Sequence, residues 1–87
     1  MSELVKLVGQ NIKNIRKSKG ILQSDLAKSI GVSSTTLSKI EVGESDVRVR
    51  LLENIAEKLD VKIQKLLFPS GSVLITEEEI EKLKNID

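Results

Sequence analysis

The chain has 87 residues and a formal net charge of +1, with 39% hydrophobic residues, a single Phe and neither Trp nor Tyr. This length suits one small domain with a short tail, and the Leu, Ile and Val content favours a helical core. The sequence has neither Cys nor His, so we expect no disulfide, no metal, no cofactor and no enzymatic activity. No apolar run approaches the ~20 residues that a membrane span requires. We therefore expect no membrane association and a cytoplasmic location.

Charge is divided unevenly along the chain. Residues 1–69 contain 12 Lys and Arg against 8 Asp and Glu, whereas residues 70–87 contain 2 against 5. Residues 69–72 read Pro-Ser-Gly-Ser, a composition typical of a linker. These features predict a mildly basic domain over 1–69 and an acidic C-terminal extension over 70–87.

The first predicted helix begins near residue 2 or 3 and ends near residue 19. Apolar residues recur every three or four positions and predict a buried stripe, formed by Leu4, Val8, Ile12 and Ile15. Gly20 follows as the expected residue that ends the helix.

Two short helices joined by a tight turn are predicted over residues 23–30 and 34–41. Gly31 allows the positive φ that ends the first helix, and Ser33 offers a hydroxyl that can cap the second. Apolar residues share one face of each helix, namely Leu26, Ile30, Leu37 and Ile40. Ala27 is small enough for the two helices to approach closely. Two helices joined in this way form a helix-turn-helix.

Two further helices are predicted over residues 49–58 and 63–67. Pro69 restricts Phe68 to extended geometry and so ends the last of them. In the extension, the apolar residues 73–75 predict a short strand or an extended arm. Thr76 and Glu79 then form a capping box, which predicts that a helix follows. Apolar residues exceed what these short helices need for internal packing and predict a dimer or partner interface, formed by Ile63, Leu67, Phe68, Leu74, Ile80 and Leu83.

A known family shares this pattern. The stretch Ile21–Ala27 is followed by Ile30-Gly31-Val32-Ser33, and then by Leu37-Ser38-Lys39-Ile40-Glu41 and Gly43. This series resembles the XRE family of bacterial and phage regulators, the small lambda-repressor-like DNA-binding domains. The resemblance implies a compact all-α domain of five helices, to which the C-terminal extension is added. It also implies that Arg16 forms a buried ion pair with Glu41.

The resemblance implies that helix 34–41 enters the major groove of double-stranded DNA. Helical spacing turns its polar residues outward, so the expected base contacts are Ser33, Ser34, Thr35, Ser38 and Lys39. Lysine can donate to guanine O6 or N7, and hydroxyls can bond to several base edges. Phosphate contacts, which position the domain without reading sequence, are expected from Gln23, Thr36, Arg48 and Arg50. The polar run 33–36 is open to a plainer interpretation as a capped, solvated helix start.

The sequence departs from the family pattern at two places. Leu22 stands where relatives usually have a capping Ser or Thr, and Glu44 and Asp46 stand where many have basic or small residues. The expected function is a transcriptional regulator, in particular a repressor that binds a palindromic operator as a homodimer. The alternative is a protein-interaction module, such as an antitoxin or anti-repressor partner, that uses residues 70–87 to bind another protein.

Overall fold

A computed structural model describes residues 2–69. In this range the chain is all-helical without any strand, and its helices are α1 (Glu3–Ser18), α2 (Gln23–Ser29), α3 (Ser34–Glu41), α4 (Val49–Leu59) and α5 (Gln64–Leu67). The prediction of an all-α domain with five helices is confirmed. The arm and helix predicted for the extension, together with Leu74, Ile80 and Leu83, lie outside the described residues. No helix within 2–69 combines the length and the apolar character needed to cross a membrane.

The predicted ends of α1 and α2 agree with the observed ones because local signals fix them. Gly20 and Gly31 have φ of +70° and +76°. The N–H of the residue after each glycine donates back across the helix end, from Ile21 to the Arg16 carbonyl and from Val32 to the Ala27 carbonyl, both at 3.0 Å. This is the Schellman arrangement, which stops a helix and turns the chain sharply.

The apolar core lies between α1 and the helices that follow it, and α1 packs against both α3 and α5. Its largest fully buried side chains come from every helix, and they are Ile12, Leu26, Leu37, Ile55, Leu59 and Leu66. The predicted stripe on α1 is covered only from Val8 onward. Leu4 is 56% exposed, so its predicted burial is wrong: the first turn of α1 extends beyond the helices that cover the rest of the stripe.

A buried asparagine joins α5 to α1. Asn11 is 4% exposed, and its Nδ2 donates to the carbonyls of Leu66 at 3.1 Å and Phe68 at 2.8 Å. These carbonyls lie at the end of α5, where helical backbone oxygens lack intrahelical partners. The amide therefore satisfies the end of α5 and holds it against α1, a role for Asn11 that the apolar pattern does not predict.

The backbones of α1 and α3 approach each other closely at Gly9. A Cβ atom added there would overlap the carbonyl oxygen of Ile40 and lie 2.9 Å from that of Glu41. Only glycine leaves room for this contact, which seats the end of α3 directly on α1. The position of the helix predicted to read DNA thus depends on a residue far from its exposed face.

Candidate nucleic-acid interface

The helix-turn-helix consists of α2, a turn at residues 30–33, and α3. Leu26 and Ala27 of α2 are buried, as are Leu37 and Ile40 of α3. Because α3 buries this side against the core, its opposite side faces solvent. There the predicted base-contacting residues Ser34, Thr35 and Lys39 are exposed, whereas Ser38 is half-buried at the edge.

Ser33 caps the N-terminus of α3, and Thr36 shares in the cap. The Ser33 hydroxyl accepts from the Thr36 backbone N–H at 3.1 Å and donates to Thr36 Oγ1 at 3.0 Å. Because the Thr36 oxygen accepts this bond, its own hydroxyl hydrogen remains free to donate. The exposed Thr36 side chain can therefore offer a donor to an acceptor outside the protein, as a phosphate contact requires.

We expect Ser33→Ala to lower the free energy of unfolding by about 1 kcal/mol, because a donor at the start of α3 loses its acceptor. Ser33→Asp keeps an acceptor at the cap and should retain nearly full stability. It should nevertheless weaken DNA binding, since it places a negative charge beside the predicted base contacts. Urea unfolding and DNA titration measure the two effects separately. Equal DNA affinities for Ser33→Asp and the unmodified chain would place this end of α3 away from the duplex.

Arg16 and Glu41 are in contact inside the domain. Arg16 Nε lies 2.7 Å from Glu41 Oε2, and Nη2 donates to Glu41 Oε1 at 3.1 Å. Their side chains are 9% and 2% exposed. A third nitrogen of the guanidinium, Nη1, donates to the Ile21 carbonyl at 2.9 Å. The two-pronged geometry is the strongest that arginine and a carboxylate can form.

Gln23, a predicted phosphate contact, also takes part in this network. Its Nε2 donates to Glu41 Oε1 at 3.0 Å, and the side chain is half-buried. Together with the bond to Ile21, the network joins the end of α1, the loop after it, the first residue of α2 and the last residue of α3. It therefore fixes the angle between the two helices of the motif.

The remaining predicted phosphate contacts lie at the start of α4. Arg48 and Arg50 are both exposed there, and so are the acidic residues Glu44 and Asp46 in the preceding loop. The four charges partly offset one another along this edge. Leu22, the N-cap residue of α2, forms no side-chain capping bond, as its side chain predicts.

Comparison with known proteins agrees with this geometry. A model of the helix-turn-helix family HTH_3 matches residues 12–66, a range that contains all of α2, α3 and α4 and parts of α1 and α5. The chain belongs to this helix-turn-helix family. The XRE resemblance predicted from the sequence is thereby confirmed, and this family consists of DNA-binding regulators rather than enzymes.

Relatives of known name support the assignment to the helix-turn-helix family. The transcriptional regulator SinR of Bacillus subtilis is 39% identical over 62 residues, which cover 70% of this chain and 56% of SinR. Antitoxin PezA of Streptococcus pneumoniae is 36% identical over 55 residues, or 63% of this chain and 35% of PezA. The chain thus spans about a third of one of these relatives and just over half of the other.

A solved structure gives the same result for the fold. The crystal structure of SinR in complex with DNA has a TM-score of 0.65 and 39% sequence identity with this chain, and the match covers 70% of this chain and 98% of SinR in that structure.

Proposed function

We propose that the chain is a transcriptional repressor that binds a palindromic operator as a homodimer, with α3 in the major groove. This proposal rests on the exposed polar side of α3. It presents Ser34, Thr35 and Lys39 together on a helix whose other side is fixed in the core. The similarity to SinR, which has been crystallised with DNA, supports DNA binding. This function belongs in the compartment that holds the DNA, which is the cytoplasm of a bacterium.

A single copy carries few positive charges and should bind DNA weakly. Dimerisation is therefore part of the proposal. Two copies related by a two-fold axis would place their α3 helices about 34 Å apart, in successive major grooves. Exposed apolar side chains that could meet across such an axis include Phe68, at 43%, and Leu4, at 56%. Leu4 lies two helical turns before Asn11, on the side of α1 that holds the end of α5.

Removal of residues 70–87 should weaken the dimer about tenfold in dissociation constant, since the extension supplies part of the predicted apolar interface. Sedimentation equilibrium measures this directly. Phe68→Ser in the full chain should act in the same direction. The matched control is Val49→Ser, which removes another exposed apolar side chain, at 68%. An unchanged dimer after truncation would place the interface within residues 1–69, at the surface around Ile63, Leu67 and Phe68.

Lys39→Ala should remove most of the preference for one DNA sequence over another, equivalent to about 1–3 kcal/mol per base pair read. The fold should be unaffected, because Lys39 is exposed. The preference is the ratio of the affinities for the operator duplex and for an unrelated duplex, both measured at one salt concentration. Arg50→Ala is the comparison variant: it should weaken both duplexes equally, since a phosphate contact reads no sequence. An unchanged preference in Lys39→Ala would remove Lys39 from the base contacts.

The test of the whole proposal is selection of bound duplexes from a random DNA pool, at low and at near-physiological salt. A palindrome with half-sites about one helical turn apart is the expected result. If no sequence is enriched and binding disappears as salt rises, the contact is electrostatic only and the proposal fails.

The similarity to antitoxin PezA favours a second candidate function. In this alternative the chain is an antitoxin or anti-repressor partner that binds another protein through residues 70–87. The acidic residues Glu44 and Asp46, exposed beside α4, are compatible with a protein surface there. A stable complex formed by the full chain but not by residues 1–69, together with no enriched DNA sequence, would favour this function over the first.

A further inference from the structure

Three lysines lie along one side of α1. Lys6, Lys13 and Lys17 are seven and four residues apart, so helical geometry aligns them over about 16 Å. We call them the lysine stripe. Lys6 and Lys17 are exposed and Lys13 is half-buried, and the only acidic residue of α1 is Glu3 in its first turn. The buried ion pair described above is the only one among residues 2–69, so this part of the chain leaves the stripe without a counter-charge at ion-pair distance.

The described part of the chain ends beside α1. Asn11 donates to the carbonyl of Phe68 at 2.8 Å, and Pro69 is the next and last described residue. Glu77 follows Pro69 by eight residues, which span up to about 26 Å when extended. A helix with its side chains is about 10–12 Å across. A chain held at Asn11 can therefore bring Glu77 to any side of α1.

The order of residue types along the extension matches the order of surfaces around α1. Leu4 lies on the side of α1 that carries Asn11, Leu7 lies next to that side, and the lysine stripe comes after Leu7. Leu4 is 56% exposed and Leu7 is half-buried. The extension presents the apolar residues 73–75 first and then 77–81, which are four Glu and one Ile. Starting from Asn11, its apolar residues meet apolar surface and its carboxylates meet the lysines.

We propose that the lysine stripe is a docking surface for residues 77–81 of the same copy of the chain. Glu77 and Glu81 are four residues apart, as are Lys13 and Lys17, so a helix in the extension matches the spacing of the two lysines. Exposed ion pairs are individually weak. The short connection makes the contact intramolecular, however, and so raises the effective concentration of the carboxylates at α1. The contact does not depend on DNA.

Charge reversal in the full chain tests this contact. Lys13→Glu/Lys17→Glu should lower the equilibrium constant for docking about tenfold, because two attractive pairs become repulsive. The backbone heteronuclear NOE of residues 77–81 should then fall from values near those of α1 to those of a free tail. The matched control, Lys58→Glu/Lys62→Glu, reverses two exposed lysines at the same spacing outside α1 and should leave the NOE unchanged.

The opposite reversal is made in the extension, where it leaves the side chains of the described helices unaltered. Glu77→Lys/Glu81→Lys should release the segment in the same way. Combining the two reversals should restore the NOE values, since opposite charges face each other again. Circular dichroism establishes that each variant is folded, and the extension variant decides the outcome by itself if the α1 variant does not fold. Reversals that leave the NOE unchanged, or that do not compensate each other when both fold, overturn the inference.

Dilution and DNA titration separate this contact from two others. Docking within one copy should not change on dilution, whereas loss of the NOE values on dilution would assign the contact to a second copy and overturn docking in the same copy. The stripe variant and its control change the net charge equally, so they should weaken DNA binding equally. A larger loss for the stripe variant with an unchanged NOE would make the stripe a DNA contact and overturn the inference. The proposed function is tested separately, by enrichment of a palindrome.

Discussion

Replacing Arg16 by Met is expected to lower the free energy of unfolding by about 3 to 5 kcal/mol, because it leaves the buried carboxylate of Glu41 without its counter-charge. The Glu41 side chain is 2% exposed, so water cannot replace the guanidinium. The bond from Arg16 to the Ile21 carbonyl is lost as well. Small domains have total stabilities of about 5–15 kcal/mol, so the variant should be close to unfolded. Urea denaturation followed by circular dichroism measures the change.

The double variant Arg16→Met/Glu41→Met separates the effect of charge from that of packing. Without either charge, no buried ion is left unpaired, and most of the lost stability should return. Lys17→Met, at an exposed neighbouring position on α1, is the control and should change stability by less than about 0.5 kcal/mol. A double variant as unstable as Arg16→Met alone would mean that the packing of the two side chains, not their charges, accounts for the effect.

The helix-turn-helix could be predicted from the sequence because its signals are local. Gly31 adopts the positive φ that its position predicts, and Ser33 forms the expected cap on α3. Helix ends of this kind are set by hydrogen bonds between residues only a few positions apart. The apolar faces of α2 and α3 follow from helical periodicity, and the exposed side of α3 is then determined by elimination.

Contacts between distant residues could not be predicted in the same way. Periodicity places Leu4 on the same stripe as Val8, but it cannot tell where the covering helices end. It likewise gives no indication that Asn11 is buried, although α5 brings two carbonyls to its amide. A glycine inside a helix, such as Gly9, is a detectable signal, because glycine is about 1 kcal/mol less favourable there than alanine. That signal indicates that another segment approaches the helix closely, but it does not show which segment.

The candidate site likewise combines features set by neighbouring residues with a contact between residues that are distant in the sequence. The outward direction of Ser34, Thr35 and Lys39 follows from the pattern of α3 alone. The partner of Gln23 does not, because Glu41 is 18 positions away in the sequence. Gln23 was predicted only as a phosphate contact, and its bond to the ion pair emerges when α1, α2 and α3 are packed together.

Gly9→Ala is expected to lower the free energy of unfolding by about 3 kcal/mol, the upper part of the usual range for overpacking. The new methyl group would overlap the Ile40 carbonyl oxygen and lie 2.9 Å from that of Glu41. Both obstacles are backbone atoms, so the clash is relieved only if α3 moves as a whole relative to α1. The higher helix propensity of alanine offsets about 1 kcal/mol of the penalty and does not change its sign. Thermal and urea unfolding measure the effect.

Gln10→Ala is the matched control, because it makes a substitution to alanine at the next position on α1, on an exposed side chain. It should change stability by less than about 0.5 kcal/mol. DNA binding by Gly9→Ala then shows whether the strain stays within α1 or displaces α3. If α3 is displaced, the folded fraction should bind its operator less tightly, although Gly9 lies on α1, away from the exposed side of α3. Unchanged stability would mean that α1 and α3 can separate freely, and the close contact would then have no part in holding α3 in position for the major groove.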